Sequence, residues 1–351
     1  MNELIAQSIL LLKELIKNPS FSGEETATAA CLIEWFDRYE IPYHRIGNTV
    51  YALHSPIDSN KPTLLLNSHH DTVRPNKGYT KDPFDPIIEE GKLYGLGSND
   101  AGGALVSLLA TFTHFYATKN LKYNLIFVAS VEEETAGPNS LRGILKQLPP
   151  IDLAVVGEPT QMQLAIAEKG LVVLDANIPG TSGHAAHPNE DNPIYKVPEI
   201  INWFKNFRFE KTSNQLGPVK MTVTQLQAGS QHNVVPAEVK MVVDVRVNDC
   251  YSNQEVYDLL RKNAPCQLQP RSLHLNSSSI PIDHPLVKAG VALGRSTYGS
   301  PTLSDMAALT CPSLKLGPGD STRSHQADEF IYIHEIEEAI PLYINILEQI
   351  L

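Results

Sequence analysis

The sequence contains few cysteines, no long apolar run and no basic cluster. Its four cysteines are scattered and form no CxxC pair, which favours reduced thiols over a disulfide framework or a cysteine metal site. No segment reaches the roughly 18 uninterrupted apolar residues of a membrane helix, and the apolar N-terminal stretch carries Glu3 and Glu14, unlike a signal peptide. A formal net charge of −11, without a cluster of Lys or Arg, argues against a nucleic-acid surface. We therefore expect a cytoplasmic protein with no nucleic-acid partner and no membrane partner.

A chain of 351 residues is longer than the roughly 150 residues of an average domain, so its length predicts two domains. Hydrophobic residues make up 42% of the chain and charged residues 19%, which is typical of a globular protein with a buried core. Helix 3–17 is predicted to end before Pro19. Ser22, with Glu25 three residues later, has the spacing of a capping box and is expected to open a second helix.

Short apolar runs separated by a helical stretch predict a mostly parallel β-sheet. The runs are Thr63–Leu66, Asn124–Val131 and Ile151–Val156, and Ala104–Phe115 between the first two has a helical pattern. A further apolar run at 313–316 precedes a C-terminal helix that begins near residue 333. This alternation indicates an α/β domain whose sheet is covered on both faces.

The middle of the chain has a different pattern. It predicts, in order, strand 168–178, helix 192–207, strands 219–226 and 239–247, helix 252–263 and strand 267–275. This is the βαββαβ order of a ferredoxin-like unit. We therefore expect a ferredoxin-like domain at 167–280, inserted into a larger α/β domain that consists of 1–166 and 281–351.

Carboxylate and imidazole side chains follow the apolar runs, at the ends where parallel strands meet. They are His69, Asp71, Asp100, the run Glu132–Glu134, Glu158 and His325. Oxygen and nitrogen ligands without sulfur suit zinc, cobalt or manganese, and two neighbouring ions need a bridging carboxylate. Asp100, which is expected to open a helix in GSNDAGG, is well placed to be that bridge. Asp71 is expected to accept a hydrogen bond from the second ring nitrogen of His69.

The three adjacent glutamates repel one another unless cations neutralise them. One glutamate as a ligand and its neighbour as a general base would suit amide hydrolysis, which needs activated water, a proton acceptor and an oxyanion donor. Each signal alone has an ordinary interpretation too: a core pair for His69 and Asp71, a solvated helix face for the glutamates, and an N-cap for Asp100. A metal centre is favoured because all these positions follow strand-like runs.

Nine segments, which together span nearly the whole chain, carry a family resemblance. They are NPSFSGEE, LLLNSHHDTVRP, GLGSNDAGG, VEEET, VVGEPT, GTSGHAAHP, HNVVPAE, GSPTLSDM and GPGDSTRSHQADEF. In this order they resemble the dinuclear zinc aminoacylase and exopeptidase family, which includes acetylornithine deacetylase, succinyl-diaminopimelate desuccinylase and carboxypeptidase G. The resemblance implies a zinc-hydrolase catalytic domain and gives the inserted domain a role in dimerisation.

The resemblance also implies a role for each candidate in the larger domain. It implies two sets of ligands, one for each metal ion: His69, Asp100 and Glu158 for the first, and Asp100, Glu134 and His325 for the second. Asp100 then bridges two ions, which are zinc in the family, with cobalt or manganese as alternatives. Glu133 becomes the general base and Asp71 holds His69, although the register of the glutamate run could shift by one residue.

In the inserted domain, the resemblance implies that His184 reaches across the interface of a homodimer and stabilises the oxyanion. Asn233 and Arg246 match positions that bind the α-carboxylate of the substrate, a group that suits the planar guanidinium. Arg246 by itself could also be an ordinary exposed strand residue. Two departures leave the detail of the substrate pocket open: DAGG at 100–103 where the family commonly has DMKGG, and His70 where it usually has a small or apolar residue.

The resulting prediction is a metal-dependent amide hydrolase that removes an acetyl or succinyl group from a small N-acyl amino acid. The tail GPGDSTRSHQADEF is most similar to acetylornithine deacetylase, so N-acetylornithine and N-acetylcitrulline, and with them arginine biosynthesis, are the leading candidates. The first alternative is a metallo-aminopeptidase or dipeptidase that acts on short peptides. An alternative of another class is a non-catalytic binding protein with the same fold.

Overall fold

Two apolar runs form the centre of the larger sheet. In the computed structural model, which describes residues 1–54 and 56–351, every residue of the strands Thr63–His69 and Asn124–Ser130 is buried. Burial on both faces is what parallel strands covered by helices require.

The described residues form eight α-helices: α1 Asn2–Lys17, α2 Thr26–Arg38, α3 Gly103–Tyr116, α4 Leu141–Ile144, α5 Pro193–Asn206, α6 Asn253–Asn263, α7 Pro285–Ala292 and α8 Ile333–Leu347. The strands are β1 Tyr43–Ile46, β2 Thr49–Leu53, β3 Thr63–His69, β4 Ile88–Glu89, β5 Lys92–Tyr94, β6 Asn124–Ser130, β7 Leu153–Val156, β8 Leu164–Glu168, β9 Gly170–Pro179, β10 Gly183–His184, β11 Lys220–Ala228, β12 Val234–Val235, β13 Glu238–Val247, β14 Gln267–Pro270, β15 Ser278–Ser279, β16 Thr297–Ser300, β17 Ser313–Lys315 and β18 Phe330–Tyr332.

The chain divides into two compact units. The first consists of Met1–Ile166, Ser279–Tyr298 and Ser304–Leu351, and the second of Ala167–Ser278 and Gly299–Leu303. In the first unit the strand order is β1-β2-β6-β3-β7-β17-β8. The four strands β6, β3, β7 and β17 run parallel, while β1, β2 and β8 are antiparallel to their neighbours.

Apolar clusters cover both faces of this sheet. One cluster packs α1, α2, α3 and α8 against one face, and α3 is buried on nearly all sides. A smaller cluster on the other face includes Leu65, Ile126, Val128, Leu141 and Met306. The predicted α/β fold with a mostly parallel, doubly covered sheet is confirmed.

The second unit has the predicted βαββαβ order. Its antiparallel sheet has the order β11-β13-β9-β14, and α5 and α6 pack on one face. Strand β13 alternates as expected, with Val239, Met241, Val243, Val245 and Val247 buried against the helices. Ser252 and Glu255 form a capping box at the start of α6, whose first turn the sequence places correctly.

Two local predictions are wrong. Helix α2 begins at Thr26 rather than after Ser22, because the Ser22 hydroxyl donates to Asp71 Oδ2 (2.7 Å) and Glu25 accepts from the Gly23 N–H. The Ser22 hydroxyl thus bonds to a buried carboxylate distant in the sequence and does not cap the helix. Strand β14 ends at Pro270, well before the predicted residue 275.

Among the described residues, no helix has the length and apolar character needed to cross a membrane.

Candidate metal centre

Strand register places the candidate ligands of the first unit at one edge of its sheet. His69 is the last residue of β3 and pairs with Ser130, the last residue of β6, so the glutamate run begins beside it. Glu158 follows the neighbouring parallel strand β7 by two residues. The carboxyl ends of parallel strands thus converge as the sequence predicts.

Asp100 lies between two imidazole rings and directs one oxygen toward each. Its Oδ1 is 3.4 Å from His69 Nε2, and its Oδ2 is 3.6 Å from His325 Nε2. The residue belongs to a π turn at Ser98–Gly102 that precedes α3, so it does not open the helix itself. A carboxylate with one oxygen directed at each of two imidazoles has the arrangement of a bridging ligand.

The other two carboxylates complete a three-ligand set around each imidazole. Glu158 Oε1 is 3.8 Å from His69 Nε2, and Glu134 Oε2 is 3.0 Å from His325 Nε2. Two ligand atoms of one tetrahedral zinc ion are about 3.3 Å apart, given Zn–N and Zn–O distances near 2.0 Å. One ligand atom from each of His69, Asp100 and Glu134 also lies within 4.8 Å of the others. The spacing throughout is that of groups that can share a cation.

His69 fits a metal ligand in its hydrogen bonding as well. Its side chain is 1% exposed, and Nδ1 is 3.0 Å from the backbone carbonyl oxygen of Asp71. Because a carbonyl can only accept, Nδ1 donates, and Nε2 is the nitrogen left to face the carboxylates of Asp100 and Glu158. Nε2 is buried and has no hydrogen-bond partner among the described residues. Although burial opposes the rise, the carboxylates of Asp100 and Asp71 raise the pKa of His69 well above its usual range, so these acids favour a positive charge at this nitrogen, which a cation would supply.

The Asp71 carboxylate has a role that the sequence does not predict. The expected bond from His69 goes to the backbone carbonyl, and the carboxylate Oδ1 lies farther away, at 3.4 Å from Nδ1. Instead Oδ1 accepts the Glu133 N–H (3.1 Å), while Oδ2 accepts the Glu134 N–H (3.2 Å) and the Ser22 hydroxyl (2.7 Å). Asp71 therefore fixes the backbone of the glutamate run.

The three glutamates of this run have three different environments. The Glu132 carboxylate accepts both the backbone N–H and the side-chain amide of Asn139, at 2.9 and 2.6 Å. Glu134 contacts His325. Among the residues that the structure describes, none forms such a hydrogen bond with the Glu133 carboxylate. Removal from water raises its pKa well above the usual range; His69 opposes this rise, and the carboxylates of Glu158, Asp305 and Glu134 add to it.

Electrostatics across the site indicate an excess of buried negative charge. Burial, with a contribution from Asp100, raises the pKa of Glu158 to about 8. Contact with Glu134 raises the pKa of His325 to about 9. Carboxylates that resist ionisation and an imidazole that retains its proton both signal a missing positive charge, which a divalent cation would supply.

Sequence reasoning missed two buried acids that adjoin this site. Glu329 Oε1 accepts the backbone N–H groups of both Asn99 and Asp100, each at 2.9 Å, and burial raises its pKa to about 8. Asp305 accepts the Ser130 hydroxyl at 2.5 Å, and burial raises its pKa to about 6. Their only signal in the sequence is membership of the QADEF and SDM segments.

One of the two departures from the family pattern, His70, has a local explanation, and nothing in the structure explains the absence of the lysine. His70 bonds through Nδ1 to the Thr28 hydroxyl (2.9 Å) and through Nε2 to the Asn48 carbonyl (3.2 Å), and burial lowers its pKa to about 4. It is therefore a neutral core residue and not a ligand. Gly102, which DAGG shares with the family pattern, is needed because a Cβ there would lie 2.4 Å from the Gly97 carbonyl oxygen.

In the second unit, His184 and Asn233 lie side by side. His184 is exposed on β10, which pairs with β12, and the adjacent Ala185 N–H donates to the Asn233 carbonyl at 2.9 Å. Arg246 instead forms a bidentate ion pair with Asp244 on the sheet face opposite the helices, with N–O distances of 2.8 and 3.0 Å. The structure thus groups two of these three candidates in one two-stranded ribbon.

Comparison with known proteins gives one family. Residues 65–349 match the family described as peptidase family M20/M25/M40. Acetylornithine deacetylase from Proteus mirabilis (strain HI4320) is 28% identical, with 99% of this chain and 98% of that protein covered. Succinyl-diaminopimelate desuccinylase from Wolbachia pipientis wMel is 24% identical, with 96% and 92% covered. Among solved structures, an M20 family metallo-carboxypeptidase from Sulfolobus solfataricus superposes with a TM-score of 0.75 at 18% identity, over 99% of both chains, which shows a shared fold.

Proposed function

The chain belongs to peptidase family M20/M25/M40 and is a hydrolase of amide bonds, and we propose that it removes the acyl group from a small N-acyl amino acid. The observation that carries this proposal is the position of Asp100, with one carboxylate oxygen toward His69 and the other toward His325. The deacylase names of relatives that match nearly the full length support the choice of substrate class. N-acetylornithine and N-acetylcitrulline are the first substrates to test.

Two divalent ions, proposed to be zinc with cobalt or manganese as alternatives, would bind the two ligand sets that share Asp100. The first set is completed by His69 and Glu158, and the second by Glu134 and His325. The unpartnered Nε2 of His69 and the excess of negative charge support this assignment. When bound, such ions polarise a carbonyl group and lower the pKa of water.

Glu133 is the proposed general base, because its carboxylate belongs to this cluster and has neither the amide partner of Glu132 nor the imidazole partner of Glu134. Its Oε atoms would take a proton from the attacking water and deliver it to the leaving nitrogen. Bonds from Asp71 to two successive backbone N–H groups hold Glu133 in place. A general base must stay within hydrogen-bond reach of the proton that it accepts. The hydrogen bonds to Asp71 keep the backbone of Glu133 in a fixed position, which this requires.

The inserted domain, 167–280, is proposed to form a homodimer. Strand β11 pairs on one side with β13 and lies at the edge of its sheet, with every residue at least partly exposed. An open strand edge is a site where a second strand can pair. In such a dimer His184 of the partner subunit would stabilise the oxyanion, while Asn233 and Arg246 would bind the α-carboxylate.

A substrate panel tests the reaction. Protein depleted of metal by chelation and then reconstituted with zinc should hydrolyse N-acetylornithine, N-acetylcitrulline or their N-succinyl counterparts, and the depleted protein should not. Turnover of dipeptides alone would overturn the deacylase proposal in favour of a peptidase. Metal binding without hydrolysis of either class would point to a binding protein.

Mixing of subunits tests the dimer. His184→Ala and Glu133→Gln subunits should each be inactive alone. A mixed dimer combines an intact Glu133 in the first subunit with an intact His184 in the second, so mixing should restore activity. Inactive mixtures, or a protein that is monomeric by sedimentation, would contradict the shared site.

A further inference from the structure

The two proposed ligand sets differ in how firmly the fold holds their histidines. His69 is the last residue of a buried central strand, and its side chain is 1% exposed. The side chain of His325 is 53% exposed and lies beyond the turn Ser321–Arg323, outside any strand or helix. The position of His325 therefore depends on the loop that carries it.

Asn99 connects this loop to the segment of the bridging carboxylate. Its side-chain Oδ1 accepts the Asp320 N–H (3.0 Å), and Nδ2 donates to the Asp320 carbonyl (3.0 Å) and to Ser324 Oγ (3.3 Å). Asn99 is fully buried, and its own backbone N–H donates to Glu329. The residue next to Asp100 in the sequence thus binds both ends of the turn that precedes His325.

The backbone around this contact permits an unusually close approach. Gly319 has a φ of +88°, and a Cβ at that position would lie 2.5 Å from Asn99 Oδ1. Any larger residue at 319 would push the loop away from Asn99, so glycine is needed for the contact. The rest of the loop is fixed elsewhere, since Arg323 forms a bidentate pair with Glu335 at 2.7 and 2.9 Å.

We propose that Asn99 is a positioning residue that sets the distance between Asp100 and His325 and thereby controls occupancy of the second metal site. The inference rests on the proposed two-metal function. It predicts that the two metal sites respond differently. Loss of the Asn99 side chain should weaken metal binding by the set of Asp100, Glu134 and His325. The His69 set should be spared, because strand β3 holds His69 without help from Asn99.

Metal titration of the full-length chain tests this without any activity measurement. Chelated protein is titrated with Zn²⁺ by calorimetry, and bound zinc is counted by elemental analysis after desalting. Wild type should bind two ions. Asn99→Ala should retain one at unchanged affinity and bind the other roughly 10- to 100-fold more weakly, the loss expected when His325 is no longer held in position.

Asn99→Asp is the second variant and decides the matter if Asn99→Ala does not fold. It keeps the shape and the Oδ1 acceptor but loses both donor bonds. An added carboxylate near two cations would by charge alone strengthen their binding, so weaker binding of one ion would indicate altered contacts of residue 99 with Asp320 and Ser324. Asn124→Ala is the matched control, because Asn124 is a buried asparagine with side-chain bonds to residues 58–63 at the opposite end of β6. It should lower stability and still bind two ions.

The outcomes are distinguishable. If both Asn99 variants bind two ions as tightly as wild type, or lose both ions equally, the positioning role is wrong while the proposed function stands. If wild type itself binds no zinc, the two-metal function fails and the inference fails with it.

Discussion

The substitution Asp71→Asn separates two roles that this carboxylate could have. The carboxylate could orient His69, or it could hold the backbone of the glutamate run. If the Asp71 carboxylate orients His69, the variant should lose the metal ion of the His69 set. The structure favours a different result, because the Nδ1 of His69 donates to the backbone carbonyl of residue 71, which any side chain retains. We therefore expect the variant to bind the ion at the His69 set and to lose turnover through displacement of Glu133.

The magnitude follows from the donors that converge on this carboxylate. The N–H groups of Glu133 and Glu134 and the hydroxyl of Ser22 donate to its two oxygens at 3.1, 3.2 and 2.7 Å. An amide keeps one acceptor and turns the other into a donor, so one or two charge-assisted bonds are lost. At about 1.5–3 kcal/mol each, the free energy of unfolding should fall by about 1.5–6 kcal/mol. A displacement of about 1 Å at the general base costs roughly 100-fold in kcat.

Three measurements on Asp71→Asn check this reasoning: kcat on the preferred acyl amino acid, bound zinc per chain, and urea unfolding. Ser22→Ala is the control. It removes one of the three donors and leaves both backbone bonds, so it should cost about 1.5–3 kcal/mol in the free energy of unfolding and little turnover. Loss of the ion from the His69 set in Asp71→Asn, with the glutamate run undisturbed, would refute the anchoring role and restore the interpretation made from the sequence.

Further expectations concern the base, the buried acid and the metal. Glu133→Gln should retain its metal and lose roughly 100- to 10,000-fold in kcat; full activity would exclude Glu133 as the base. Glu329→Ala deprives two buried backbone N–H groups of their acceptor and should cost about 2–6 kcal/mol in urea unfolding, whereas Glu329→Gln keeps an acceptor and should cost less; equal losses would contradict this account. Chelation should lower the Tm, since ions that bind only the folded chain stabilise it, and an unchanged Tm would speak against a resident metal.

Most of the secondary structure can be predicted from the sequence because it follows from local patterns. The buried run Asn124–Ser130 and the alternation in Glu238–Val247 each reflect a burial pattern with the period of a strand. The position of the candidate ligands then follows from a general property of parallel sheets, since side chains beyond neighbouring carboxyl ends converge. His69 and Glu158 lie close together for that reason.

The failures occur where a tertiary partner replaces a local one. Ser22 has the residue type and the spacing of a helix cap, yet its hydroxyl bonds to a carboxylate 49 residues away. The role of Glu329 is equally hidden, because it binds backbone N–H groups 229 and 230 residues away. Every residue except proline has such a group, so no pattern of side chains can reveal which of them a buried carboxylate will bind.

The glutamate run illustrates the same limit within three residues. Identical side chains at consecutive positions leave the assignment of ligand and base open, since a shift of one residue changes no property of the sequence. The structure gives the three glutamates different partners outside the run, and these support the proposed assignment: Asn139 binds the first carboxylate, and Asp71 binds the backbone of the other two. With those two backbone groups fixed, the third carboxylate contacts His325, while the second lies near His69 and several acids and has no hydrogen bond to an imidazole among the described residues. The proposed base and the proposed ligand therefore differ in position and not in chemistry, and Asp71 determines that position.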